Sequence, residues 1–228
     1  MPMPPDRPDQ TPTYATLRKR FKELQAQTNN VFQHWQIRVH RSLSWLKRSE
    51  ELPADQADLQ FITCWIALNA LYGRWDAVQN RPAADEQSRR QFVSRLVELD
   101  RDEIGAFLRS HKRLLKPVLG NEYLSRSFWG NPDHSDARHL AVQDGYKLDG
   151  LLSRREYERL LGIVLHRLYV LRGQVMHGAA TVGSRLNRKT INDCLSLMQA
   201  LVPRVLHIVL ERACNDDWPE PCYPPMDS

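Results

Sequence analysis

Nine of the fourteen prolines lie in two terminal stretches, up to Pro12 and from Pro219 onward. Proline fixes its own φ and has no amide hydrogen to donate, so it ends or kinks a helix wherever it falls inside one. Its confinement to the ends leaves the interior permissive for helix and makes both tails extended or disordered. No internal repeat and no run of alternating β-branched residues competes with a helical reading. The expected layout is therefore an all-α domain over 14–213, between a disordered Pro-rich tail at 1–13 and a second Pro-rich tail at 214–228.

Apolar spacing places the helices. Leu17, Phe21 and Leu24, then Phe32, Trp35, Val39, Leu43 and Leu46, keep a helical period from Tyr14 to Lys47. A break near Thr28-Asn29-Asn30 leaves this as one long helix or two collinear ones. A second helix opens after Pro53 at Ala54-Asp55-Gln56 and carries through to Trp75, apolar nearly all round at its centre, as in a helix buried by several neighbours. Asp85 to Leu99 and Asp102 to Leu119 read as two more, and Arg188 to Ala213 as the last, with a kink expected at Pro203. Gly120 to Gly150 is rich in Gly, Asn, Asp and Pro and reads as a long loop with one short helical turn at most. The sum is a helical bundle of about five to seven helices with a long loop before its penultimate helix.

Composition bounds the function. With 228 residues, 42% apolar and 26% charged, the chain is long enough for one sizeable core. A net charge of +5 permits contact with a polyanion without demanding it. Cys64, Cys194, Cys214 and Cys222 form no Cys-x2-Cys pair and no ligand spacing with His, so they read as reduced thiols and no metal site is expected. Asp133, His134, Asp136 and His139 gather in the polar stretch but match no established ligand pattern. Trp35, Trp45, Trp65 and Trp75 sit on helical periods and read as core. The N-terminus lacks the apolar core of a signal peptide, and the run from Phe61 to Gly73 is shorter than the ~20 residues of a membrane span. A cytoplasmic protein with no membrane partner is expected.

The penultimate helix, from Ser153 to His177, carries the chemistry. Tyr157, Leu161, Val164, Leu168, Leu171 and Val175 form its stripe, and Leu165, Tyr169 and Met176 a second apolar row that also contains Arg172. A guanidinium on an apolar side must meet either an internal carboxylate or a phosphate-bearing ligand. His177 follows five residues on, about 140° further round the helix, in its last turn or at its C-cap before Gly178. Arginine grips phosphate with its planar fork, and histidine as a residue type titrates near ~6.5, so the pair suits phosphodiester chemistry. Arg159-x6-His166 satisfies a looser spacing but lies within a continuous helix and reads as outward-facing. Asn69, the one strongly polar residue at the centre of its run, and Gln174 are the supporting candidates. Arg109, Lys112, Arg113 and Lys116 gather on one side of a helix and form a candidate nucleic-acid-binding row.

Arg172-x4-His177 at a helix end, followed by Gly178, resembles the signature of the HEPN domain family, specifically its Apea-like branch. Phe61-Ile62-Thr63-Cys64-Trp65-Ile66-Ala67-Leu68-Asn69-Ala70-Leu71-Tyr72-Gly73 is similar to the early helix of that branch. The resemblance covers about residues 14–212, and only these two stretches are specific. It implies an all-α homodimer acting as a metal-independent ribonuclease, with paired Arg172 and His177 in a cleft between protomers and no cofactor. RNA is the implied partner, and a cognate antitoxin or another defence protein a further one, in a defence or toxin-antitoxin setting. The alternative is a non-catalytic module of the same type that binds RNA, nucleotide or a protein. Active members commonly carry Asn or Asp directly after the Arg, where this chain has Gly173; members modified by a nucleotidyltransferase carry Tyr at the position of Ala179.

Overall fold

A computed structural model describes residues 11–27, 34–133, 135–179, 181–183, 185, 187–214 and 216–224. Among them the fold is all-α, with ten α-helices and a single two-residue strand pair. The chain divides into two units: one of Met1–Glu51, Thr63–Asp100 and Ala200–Ser228, the other of Leu52–Ile62 and Arg101–Gln199.

In the first unit, α1 (Tyr14–Gln27) and α2 (His34–Glu51) are separate helices. They form an antiparallel hairpin, because the Tyr14 amide at the start of α1 donates to the Glu50 carboxylate at the end of α2, at 3.0 Å. The collinear arrangement expected from spacing is therefore corrected; the break at Thr28-Asn29-Asn30 lies outside the described residues. Phe21 and Trp35 meet edge to face at 5.8 Å between the two helices. The long run of apolar residues forms α3 (Ala57–Tyr72), which ends before Trp75 and buries Phe61, Cys64, Trp65, Leu68 and Leu71. Trp75–Asp76 (β1) and Arg81–Pro82 (β2) pair antiparallel, joined by a turn in which the Asp76 carboxylate accepts the amides of Val78 and Gln79. α4 (Asp85–Leu99) keeps the bounds its periodicity predicts.

The C-terminal tail, expected to be extended or disordered, is tied down at 219–223 by two arginines of α2. Arg38 of α2, 1% exposed, donates to the carbonyls of Leu71, Gly73, Pro219 and Glu220. Arg41 donates to those of Cys222 and Tyr223. A chain end that offers bare carbonyls to a buried guanidinium satisfies both partners at once.

The second unit shows where the loop reading fails. Glu122–Leu124 is a 3-10 turn, and α7 (Arg126–Gly130) and α8 (Ser135–Ser153) fill most of the stretch from Gly120 to Gly150. Gly120 and Gly145 in this stretch are packing positions. A Cβ on Gly145 would lie 3.0 Å from Cα of Gly120, so α8 passes close to the backbone there and a larger residue at 145 has no room. Ala141, Leu148 and Leu151 are the buried apolar face of α8.

Asp102 to Leu119 also divides, into α5 (Arg101–Ser110) and α6 (Lys112–Leu119). At the break the Phe107 carbonyl accepts from the Ser110 hydroxyl at 3.1 Å and from the His111 backbone amide at 3.0 Å. The His111 ring also stacks on Phe107 at 4.3 Å. Side chains that bond nearby backbone in this way compete with helix continuation.

α9 (Tyr157–Met176) starts later than expected, because Ser153 still belongs to α8 and Arg155, at φ +55°, turns the chain. Tyr157, Leu161, Val164, Leu168 and Leu171 are buried as the stripe predicts, with Val175 half-buried; each large apolar side chain removed from water contributes about 1.5–3 kcal/mol. α10 (Arg188–Arg212) runs through Pro203 without ending. It is long and apolar enough to cross a membrane by length and composition, and 72% of that stretch is buried inside the protein.

Candidate functional site

The end of α9 is closed by a motif that fixes His177. The amide of Gly178 donates to the Val175 carbonyl at 3.2 Å and that of Ala179 to the Gln174 carbonyl at 2.9 Å, with Gly178 at φ +68°. This is the Schellman pattern, in which the glycine takes the left-handed conformation that an L side chain resists. His177 is the C-cap residue, its amide bonded to the Gly173 carbonyl and its imidazole exposed.

Two arginines on α9 have opposite surroundings. Arg167, 1% exposed, donates to the carbonyls of Asn121 and Ala141 and to the Asp144 carboxylate, the last at 2.8 Å. It is the buried, internally answered cation of this helix. Arg172 is half-buried and has no hydrogen-bond or ion-pair partner among the described residues. Of the two fates available to an arginine on this helix, the internal carboxylate belongs to Arg167.

Gln174 lies on the same row as His177, three residues before it, and its Nε2 donates to the Tyr123 carbonyl at 2.7 Å. That carbonyl also accepts the Trp129 indole N–H at 2.9 Å. Gln174 thus ties the end of α9 to an aromatic cluster that the loop reading concealed. Phe128 is buried and meets the rings of Tyr123 and Trp129 edge to face, each at 5.1 Å, while Tyr123 and Trp129 remain 48% and 54% exposed. The guanidinium of Arg138 lies over Phe128 and that of Arg126 over Tyr169, at 5.9 and 5.7 Å. Exposed flat rings bordered by guanidinium groups are what a single-stranded nucleic acid stacks on. The signal in the sequence is Phe128-Trp129 next to Arg126, inside the stretch that composition reads as a long loop.

The remaining candidates are placed differently. Asn69 lies in the first unit, half-buried on α3, where its carbonyl accepts the Gly73 amide at 2.7 Å. The basic row is divided by the break at His111. Arg109 on α5 donates to the Tyr157 hydroxyl and lies over that ring, and Lys112 on α6 pairs with Asp149. Arg113 and Lys116 are exposed on α6. The single row is therefore corrected: Arg109 lies on α5, and Lys112, Arg113 and Lys116 lie on α6 beyond the break. Arg159 is outward-facing and paired with Glu156, whereas His166 is half-buried. Glu156 itself is held below the usual carboxylate range by hydrogen bonds from Arg154 and Arg159.

Trp35 and Trp65 are core as predicted, but Trp45 is exposed and Trp75 half-exposed against Tyr223. Among the described residues no group of three His, Cys, Asp or Glu side chains is placed to hold a metal ion, and His134 lies outside those residues.

Comparison with known proteins gives no match, whether to a family model, a curated protein or a solved structure.

Proposed function

We propose that the end of α9 is half of the active site of a HEPN-like, metal-independent endoribonuclease. The observation that carries this reading is Arg172, half-buried with no acceptor among the described residues, five residues before an exposed His177 on a closed helix end. Arg172 would hold the scissile phosphate through its fork, and its charge would stabilise the extra negative charge of the phosphorane transition state. The 2′-oxygen attacks phosphorus and the bond to the 5′-oxygen breaks. One imidazole removes the 2′-hydroxyl proton and a second acid protonates the departing 5′-oxygen. The products are a 2′,3′-cyclic phosphate and a 5′-hydroxyl.

Each chain offers one such pair, so a two-fold homodimer with the α9 ends facing each other supplies the base and the acid from two copies of His177. Tyr123 and Trp129 would take the neighbouring bases. The protein is proposed to work in the cytoplasm as part of a defence or toxin-antitoxin system, with an antitoxin or another defence protein as its partner. Gly173 favours one second reading, a module that binds RNA or nucleotide without cutting it, because the position next to Arg172 carries no polar side chain.

The experiment is RNA cleavage by the purified chain in EDTA, compared with Arg172→Ala and His177→Ala. Cleavage by wild type, with a loss of about a hundredfold or more in each variant, is expected. Equal cleavage by all three proteins contradicts the proposal; binding without cleavage by wild type selects the second reading.

A further inference from the structure

The first unit carries a pocket of about 370 Å³, open to solvent on one side and at the small end of the range for small-molecule sites. Three arginines line it: Arg38 from α2, Arg74 just beyond α3, and Arg95 from α4. Their positive charge is poorly answered. Arg38 gives its four hydrogen bonds to carbonyls, which carry no net charge, and its buried Nε meets no acceptor. Arg95 reaches the Asp216 carboxylate through one nitrogen at 2.8 Å, and its buried Nε also meets none. The buried Nε of Arg74 likewise meets no acceptor among the described residues.

Two carboxylates, Asp216 and the lining Glu98, face these three guanidinium groups, and the charge of Arg41 reaches the same place. Burial above all, with Arg41, Arg95 and Arg74 adding to it against a smaller opposing effect of Cys222, pushes Arg38 down to about 10.

We propose that this cavity binds a small phosphate-bearing ligand with a planar ring, of the nucleoside monophosphate class. Clustered like charges in a partly buried site are unfavourable until an anion enters, and a phosphate monoester brings up to two negative charges and several acceptor oxygens. Arginine forks are shaped for those oxygens. The rest of the lining suits a flat, less polar group: Trp218, Phe92, Tyr72 and Leu71 form an apolar wall. Two of the cations are held in place by stacking, Arg95 at 4.7 Å and Arg38 at 5.6 Å from the Trp218 ring centre. The volume suits one nucleotide rather than an oligonucleotide. None of these residues belongs to the α9 site, so the inference stands or falls separately from the ribonuclease reading.

Isothermal titration of the full chain with the four nucleoside monophosphates, adenosine and inorganic phosphate tests it. At least one nucleotide is expected to bind saturably, about tenfold or more tighter than either adenosine or phosphate. Arg74, whose buried Nε meets no acceptor and whose structural bonds are made by its backbone, is the residue to change: Arg74→Ala weakens binding about tenfold or more, Arg74→Lys by less, and Arg81→Ala, on β2 outside the cavity, leaves it unchanged. No saturable binding at millimolar nucleotide overturns the proposal. So does affinity unchanged in Arg74→Ala, or phosphate or adenosine binding as tightly as the nucleotide.

Discussion

Arg167 and Arg172 stand five residues apart on one helix and carry the same charge, yet among the described residues only Arg167 is answered from within. Among the described residues Asp144 is the single anion on Arg167, so Asp144→Ala leaves a buried cation with two carbonyls. We expect it to lower stability by about 2–3 kcal/mol in urea unfolding; a loss below about 0.5 kcal/mol contradicts this account of the pair. The apolar stripe of α9 was legible from spacing. Arg167 was not, because its three acceptors come from a stretch that local composition reads as loop. Gly173 is not required by packing: a Cβ there meets nothing within 4 Å. Gly173→Ala should therefore stabilise by about 0.5–1 kcal/mol. Gly173→Asn should fold as well as wild type and, if the ribonuclease reading holds, raise the cleavage rate, measured in the same EDTA assay.

At the scale of elements, α4 kept its expected bounds to the residue and α10 to within one, whereas α3 and α9 are shorter than their periods predict and the breaks and crossings depended on partners distant in sequence. α8 is the clearest case. It has only a sparse apolar face and three small or polar residues for each large apolar one in its first turns, so its helical state rests on contact with Gly120 and on Arg167 rather than on propensity. A similar close approach holds α5. A Cβ on Gly105 would fall 2.5 Å from the Tyr157 ring, which Arg101 and Arg109 fix from above. Because that ring is buried and held, it cannot swing aside. Gly105→Ala is expected to cost about 1–3 kcal/mol and to lower the melting temperature, and an unchanged midpoint contradicts the packing described.

For the molecule as a whole, the all-α class followed from where the prolines are, and the end of α9 followed from one arginine, one histidine and a glycine stop. The aromatic cluster and the arginine-lined cavity did not, since each assembles residues from separated segments. The thiols report on the fold directly. Burial pushes Cys64 up to about 11, and Cys194 higher still, from an ordinary value of 9.0. Both should resist a thiol reagent at pH 8 in the native protein and react only on unfolding, whereas the half-buried Cys214 and Cys222 react first. A raised folded-state value means that the stability gained by keeping Cys64 neutral is present below pH 9 and is lost as pH rises through about 11.

The central claim is that the end of α9 cuts RNA by attack of its own 2′-hydroxyl. The most direct measurement is the chemistry of the ends left on an RNA cut in EDTA. We predict 2′,3′-cyclic phosphate and 5′-hydroxyl termini, absent from the His177→Ala reaction and blocked by a single 2′-deoxy substitution at the cut position. Termini with a 3′-hydroxyl and a 5′-phosphate, or no cut by the wild-type chain, would contradict it.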